Sequence, residues 1–437
     1  MDFGPRVYPL FADQQEFSEM EAQSMTAGSA TATTFRWRRF LVVAGPGLVV
    51  MLADTDAGSI ITAAQSGAQW GYRLLALQFL LVPILYIVQE LTVRLGAATG
   101  KGHARLILER YGRFWAWFSV STLIVSCIGA LLSEFSGIAG VGALMGVPAP
   151  VSLTLVVAML LAIAFTRSYR SVERIAIFVG AFELVFLLVA WLAHPSLREI
   201  GAGLVSVPLG DPQYLYLASA NIGAVIMPWM VFFQQSSVVE KKLKASDIGA
   251  ERIDTAIGAV ITQIIMAAVL IATAATLGKS GGGQALDTVQ EISAAITPFL
   301  GQIGGNVLFG LGICGAALVA TIVVTLAAAR TLGEVLGVNH SLDHEVSEAP
   351  WFYGAYAAAL IAGALVVASG VNLVTLSVGV QVMNALLLPI VLGFLFLLAR
   401  GLPEPWRLQG WYAWFSGSLI AATTIFGVYS GLAGLWG

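Results

Sequence analysis

The sequence predicts an all-α polytopic membrane protein, and three observations carry that class. Of 437 residues, 58% are hydrophobic and only 11% are charged, whereas a soluble domain carries roughly a quarter charged residues. Long apolar runs recur from Phe40 to the end, each able to supply the roughly 20 residues that cross a bilayer core as a helix. The short alternating segments of a membrane β-barrel are missing.

The spanning-length criterion gives about eleven transmembrane helices. They lie near 40–70, 73–97, 114–144, 149–166, 174–193, 214–239, 251–277, 304–337, 350–369, 373–400 and 411–436. Ahead of them, Met1 to Trp37 is mixed and polar, with Asp13, Glu16, Glu19 and Glu21 and no apolar core of a signal peptide. Residues 1–37 therefore read as a disordered cytoplasmic tail, and 38–437 as a single transmembrane domain. Arg36, Arg38 and Arg39 precede the first span. Arg94, Lys101, Arg105, Arg110 and Arg113 cluster between spans two and three, Arg167, Arg170 and Arg174 between four and five, and Lys241, Lys242, Lys244 and Arg252 after six. These basic loops fall on one side, which places the N-terminus in the cytoplasm. An odd count puts the C-terminus outside. Trp70, Trp115, Trp117, Trp351 and Trp411 mark span ends as an aromatic belt. Cys127 and Cys314 sit in apolar runs as small core residues.

Two spans are interrupted. The first breaks at "DTDAGS", the sixth at "NIGAVIMPW", where Gly223 and Pro228 weaken the helix. Broken helices at matching places in two halves are the signature of a transporter built from inverted repeats. The halves are spans one to five and six to ten, with the eleventh added.

The first break holds Asp54 and Asp56 with no basic residue in the same span. A carboxylate at bilayer depth is costly unless it is paired, hydrated or neutralised. A bound cation supplies the missing charge, and an unwound backbone frees carbonyls as hard ligands. Asp56 reads as a direct ligand. Asp54 reads either as an outer member of the site, as a lining of its entry, or as the N-cap of the second half-helix. Ser59 adds a hydroxyl, and Gly58 permits close approach of backbone. At the sixth break, Ala224 offers a carbonyl and Met227 a thioether, a soft ligand that favours transition metals over Mg2+ or Ca2+.

The runs "GPGLVV…DTDAGSIITAAQSGAQWGY", "QELTVRLGAATGKGHARLILERYG" and "IGAVIMPW" resemble the Nramp metal-transporter family, from Gly45 to about Arg400. The resemblance implies a LeuT-like inverted repeat and movement of divalent metals, typically coupled to protons. It implies Asp56 as the metal-binding aspartate, Ser59 in place of a binding asparagine, and Ala224 and Met227 as carbonyl and sulfur donors. Glu134 in "LLSEFSG" matches a third-span family glutamate and is the candidate proton carrier. Gln381 matches a tenth-span glutamine, and Asn384 beside it is new to the pattern.

Several positions depart from the family. "DAGS" replaces Asp-Pro-Gly-Asn, Trp229 replaces the histidine after Met-Pro, and Leu131 replaces a family aspartate. His103, His194, His340 and His344 all fall in predicted loops, so no imidazole is offered inside the membrane as a relay. These changes argue against proton coupling and resemble a divergent branch of which some members carry Mg2+. Met227 keeps Mn2+ ahead, so the expected substrate is Mn2+-like or broad, with Mg2+ as the alternative. A carrier of a small organic solute such as an amino acid is the alternative of another class. In it, half-helix N-termini would hold a carboxylate that Asp54 and Asp56 would repel.

The remaining acids read as structural. Glu183 in "GAFELVF" is expected to hydrogen-bond to neighbouring helices, and Glu90 and Arg94 form a pair one turn apart, as do Arg330 and Glu334. No nucleotide loop, nucleophile elbow or zinc-type His pair is present, so no enzyme and no prosthetic group is expected. The net charge of −3 gives no footprint for nucleic acid. The expected partners are the metal ion and the bilayer, with no obligate protein partner. The membrane is expected to be a bacterial inner membrane.

Overall fold

The computed structural model describes residues 45–164, 169–277, 283, 285–296, 301–338 and 346–436. The expected tail 1–37, the first-span arginines, Arg167, His340 and His344 lie outside them.

The described residues form seventeen α-helices: α1 Pro46–Asp54, α2 Ala57–Trp70, α3 Leu75–Thr99, α4 His103–Tyr111, α5 Arg113–Leu144, α6 Ala149–Ala164, α7 Tyr169–Gly180, α8 Val185–Leu192, α9 Leu197–Val205, α10 Pro212–Val225, α11 Pro228–Glu240, α12 Ile248–Thr276, α13 Val289–Ile296, α14 Gly301–Leu336, α15 Pro350–Ala368, α16 Leu373–Arg400 and α17 Gly410–Trp436. The pairs α1–α2, α7–α8 and α10–α11 each make one interrupted span, and eleven spans result. Nine stretches of described residues meet a strict length and hydropathy test alone. One of them, Ala57–Thr99, joins the end of span one to span two, and α6 is too short for the test.

Local chemistry sets the ends. Asp211 accepts from the N–H groups of Gln213 (2.9 Å) and Tyr214 (3.3 Å) and so starts α10, with Pro212 in the first turn. Asn372 caps α16 through Thr375 N–H at 2.9 Å. Gly100, at φ 63°, ends α3. Span six is buried almost along its whole length. It packs against α16 and α17, while α2 packs on α12 and α5 on α14. Large apolar side chains such as Phe114, Leu155, Trp191, Trp414 and Ile425 are exposed on the outer helices. With no water to avoid there, they face lipid.

Each end of the bundle is tied. On the basic side, the buried Glu90 pairs with Arg94 (2.7 Å) as expected, and also with Arg252 from α12 (2.6 Å) and the Tyr412 hydroxyl of α17 (3.4 Å). At the other end, the Gln65 amide of α2 clasps the backbone of Leu286, donating to its carbonyl at 2.9 Å and accepting from its N–H at 2.8 Å.

His103 departs from its expected place in a loop. It opens α4 and is fully buried. Its ring packs edge-on against Phe232, with centroids 4.8 Å apart, and Nδ1 lies 3.1 Å from Gln235 Oε1. Gln235 spends its amide N–H on the Lys101 carbonyl, so its oxygen is the acceptor and His103 Nδ1 donates. Nε2 has no hydrogen-bond partner among the described residues. Burial lowers the imidazole from 6.5 to about 4, against a smaller upward pull from Gln235. Between those values the unfolded chain binds a proton that the native chain refuses, so stability falls as pH drops from about 6.5 and levels off near 4. The full effect is about 3 kcal/mol. The melting temperature of the purified protein should therefore fall from pH 6.5 to 4.5, and His103→Asn should flatten that slope. An unchanged slope would assign the loss to other groups.

Candidate metal site

Span one unwinds over two residues. Thr55 (φ −77°, ψ 46°) and Asp56 (φ −70°, ψ 170°) leave the helical region, and α2 restarts at Ala57. The turn places Asp56 over the new N-terminus, where Oδ1 accepts from Ser59 N–H at 2.6 Å. The N-cap role, one of the readings open for Asp54, belongs instead to Asp56. Asp54 is still helical and closes α1, so its side chain points away from those N–H groups, whereas the extended ψ of Asp56 folds its carboxylate back over them. α1 has no cap of its own. Asp254 of α12 serves instead, accepting from Gly45 and Leu48 N–H at 3.1 Å each.

Span six unwinds over Ile226 (φ −125°, ψ 89°) and Met227 (φ −95°, ψ 140°). A continuous helix would bond the Ala224 carbonyl to the N–H of residue 228, but Pro228 has none. The freed carbonyl turns to the other break and accepts from Ser59 Oγ at 2.9 Å. The two breaks therefore meet through Ser59 and Ala224, both expected site residues.

The third and tenth spans complete the cluster. Ala57 N–H donates to Glu134 Oε2 at 3.1 Å, and the Glu134 and Asp56 carboxyl groups lie within hydrogen-bonding reach of each other. Gln381 Nε2 reaches Asp56 Oδ1 at 3.5 Å. Its own carbonyl accepts from Asn384 Nδ2 (3.0 Å), whose oxygen accepts from Ser126 Oγ (2.8 Å). This chain fixes the amide with its donor toward the aspartate. Gly58 makes the packing possible, since a Cβ there would collide with Ser133 Oγ and Gln381 Nε2. Gly223 does the same on span six, where a Cβ would strike the Gln381 backbone carbonyl. It is there for close packing more than for weakening a helix.

Met227 and Trp229 sit together on the sixth-span side. Both are fully buried, and the indole Nε1 donates to Met227 Sδ at 3.2 Å. Trp229 therefore offers no proton to a relay. Its N–H is committed to the sulfur, which keeps one lone pair for a ligand.

Asp54 stands apart from this hydrogen-bonded group. Its two oxygens, Asp56 Oδ2 and Glu134 Oε1 have no hydrogen-bond partner among the described residues. The same is true of both oxygens of Glu183, contrary to the expected bonds to neighbouring helices. The fifth span makes a 3-10 turn at Ala181–Leu184, and Glu183 within it lies near Thr55 and Asp56 of the first break. Among the described residues, none of these acids is paired to a basic side chain in the ion pairs seen, while Glu90 is paired twice. Buried acids without counter-charge invite cations or protons. Among the described residues, no three side chains of His, Cys, Asp or Glu gather as a tight metal centre. One carboxylate with a free oxygen, backed by a carbonyl and a hydroxyl, suits a loosely held cation.

Sequence reasoning missed Ser126, Ser133, Asp254 and the exposure of Glu183 to the break. Only Asp254 carried a signal, as an acid near the start of a span facing an uncapped Gly-Pro.

The family model described as Nramp, natural resistance-associated macrophage protein-like, matches residues 47–433. The divalent metal cation transporter MntH of Brucella suis biovar 1 is 27% identical over 304 residues, 67% of this chain and 66% of that protein. A manganese transporter of Eremococcus coleocola, solved with an aromatic bis-isothiourea compound, superposes with a TM-score of 0.72 at 19% identity, covering 94% of this chain and 90% of that one. Mhp1, a nucleobase-cation-symport-1 transporter, superposes at 0.58 with 14% identity and 90% of each chain. These likenesses place the helices in the LeuT-type arrangement, with the broken first and sixth spans at corresponding places. The chain is an integral membrane protein, and since the family match runs through both breaks and spans one to eleven alike, it belongs to the Nramp family.

Proposed function

We propose that the chain is a secondary transporter of divalent metal cations working by alternating access, with Mn2+-like or broad specificity. The single observation that carries this reading is the meeting of the two breaks around Asp56. There an uncompensated carboxylate, the Ser59 hydroxyl and the freed Ala224 carbonyl come together in a buried place, with the buried Met227 three residues beyond Ala224 at the same break. Asp56, Ser59, Ala224 and Met227 are the proposed ligands. Gln381 and Asn384 set the position of Asp56, and Glu134 is the proposed proton carrier if any proton moves. A cavity of about 430 Å³, lined by Gln65, Gln213, Tyr216 and Asp287, lies along α2 from the site and supports a route from the side opposite the basic loops. The N-terminus is proposed to face the cytoplasm of a bacterial inner membrane.

The amino-acid alternative is disfavoured by the capping. A substrate carboxylate would need the N–H groups at the start of α2, but Ala57 and Ser59 already give theirs to Glu134 and Asp56. The Mg2+ alternative turns on the sulfur. Oxygen ligands suit Mg2+, whereas a thioether favours Mn2+.

Uptake of Mn2+ and Mg2+ into proteoliposomes, with wild type and Met227→Ala compared, tests both points. Wild type should take up Mn2+. Met227→Ala should weaken Mn2+ uptake about tenfold, on the scale of losses at groups around a metal, with Mg2+ uptake little changed. Equal losses for the two ions would remove the sulfur from the site. No uptake of either ion would end the transport reading.

A further inference from the structure

We propose that Asp54 and Glu183 form a second station for the divalent cation, next to the Asp56 site and separate from it. This rests on the transport reading above and adds a place where the cargo stops.

The fold builds the station from two interrupted spans. Asp54 closes α1, where the last carbonyls of a helix lack intrahelical partners. Glu183 lies in the 3-10 turn between α7 and α8. Span five packs on the first half-helix, with Gly180 against the Leu52 side chain, and on α14, where Phe182 and Phe186 lie against Gly315 and Gly312. Asp54 lies near enough to feel the charge of Asp56 first and of Glu183 second, and Glu183 feels Asp56 as well, so the station adjoins the Asp56 site directly. Asp54 is 1% exposed and Glu183 is 0%. None of their four oxygens has a hydrogen-bond partner among the described residues. Thr55 lies beside Glu183, but its hydroxyl is turned to the Met51 carbonyl at 3.4 Å.

Glu90 is the contrast within the same molecule. It is equally buried, and it takes two guanidinium groups and a phenol. Native structures satisfy their buried polar atoms, so four orphaned oxygens in one place call for a partner that comes and goes. A pair of carboxylates with helix-end carbonyls is a hard, all-oxygen set, which suits a divalent cation with part of its hydration kept. The Asp56 site adds a sulfur, so the two stations differ in kind. Like charges keep two ions from occupying both at once. An ion leaving one is thus received by the other.

A purely structural acid here would be neutral, and glutamine copies a neutral glutamic acid in shape and hydrogen bonding. Glu183→Gln therefore separates the two roles. In proteoliposomes the variant should take up Mn2+ about tenfold more slowly, while Mn2+ affinity measured by calorimetry on the purified full chain stays near wild type. In an Asp56→Asn background a residual weak Mn2+ binding should persist, and adding Glu183→Gln should remove it. Wild-type uptake by Glu183→Gln, or no loss of residual binding in the double variant, overturns the station and leaves the Asp56 site standing. If Glu183→Gln does not fold, Asp54→Asn is read the same way, with the same two outcomes. Wild type that binds no Mn2+ at all would overturn the transport reading, and the station with it.

Discussion

Asp56→Asn is expected to abolish high-affinity Mn2+ binding and uptake while leaving the fold in place. Asp56 holds two jobs, and the substitution removes only one. As N-cap of α2 it accepts from Ser59 N–H at 2.6 Å, and asparagine caps a helix about as well as aspartate. As the proposed metal ligand it brings a charge and a free Oδ2 that asparagine lacks. Removing a group one layer out from a metal costs about 10–100-fold in affinity, so losing a charged ligand should cost at least about a hundredfold. Asp56→Ala removes both jobs. It should lose Mn2+ to the same degree and also about 1 kcal/mol of stability from the missing cap. Calorimetry and a thermal melt on the three proteins separate the effects. Mn2+ affinity within a few-fold of wild type in Asp56→Asn would mean that the carboxylate is there for capping alone.

The contrast matters because the acids around the break are unequal. Glu134 already spends one oxygen on Ala57 N–H, and Gln381 donates toward Asp56 rather than accepting. A Gln381 held by Asn384 and Ser126 lends its N–H to the aspartate and keeps its own oxygen away from the ion. In the state described here the site is therefore shaped around one carboxylate. To add Gln381 as a ligand, the amide would have to turn and give up its bond to Asn384.

The spans and both breaks were legible in the sequence for different reasons. Eleven apolar runs are a matter of composition, and the ends that fall on described residues moved by only a few positions. The sixth break could be placed from one residue, since Pro228 leaves Ala224 without its donor. The first break has no proline at all. Only the acids at 54 and 56 betrayed it, and spacing alone could not say which of them caps α2. That choice hangs on one ψ angle. The remaining errors share a cause. Asp254 accepts from Gly45, 209 residues earlier, Ser126 and Asn384 meet across 258 positions, and Glu183 in the 3-10 turn of span five lies near the first break. Such pairings are decided by how helices pack, and apart from the placement of Asp254 a single sequence carries no trace of them. His103 was misplaced in the same way. Its position between two spans was right, but only the docked α4 reveals that it is buried against Phe232 and Gln235.

Pro228→Ala is a second substitution expected to cost most of the transport without costing stability. A proline in a helix interior is about 3 kcal/mol worse than alanine, and that penalty is what keeps α10 and α11 from running together. Alanine restores an N–H at position 228, one turn from the Ala224 carbonyl. Closing the break would gain that hydrogen bond and the next ones in register, each worth about 1 kcal/mol. It would also draw the Ala224 carbonyl away from Ser59, now 2.9 Å from it, and pull Met227 out of its extended conformation into the helix. Mn2+ uptake should therefore fall by at least about a hundredfold, in step with the loss of two ligands at once. The melting temperature should hold or rise, because the open break leaves helical hydrogen bonds unmade. A variant that transports at the wild-type rate would show that packing against α16, where Gly223 meets the Gln381 backbone, holds the break open without the proline. A variant that loses transport and also melts early would instead make Pro228 part of the fold's foundation.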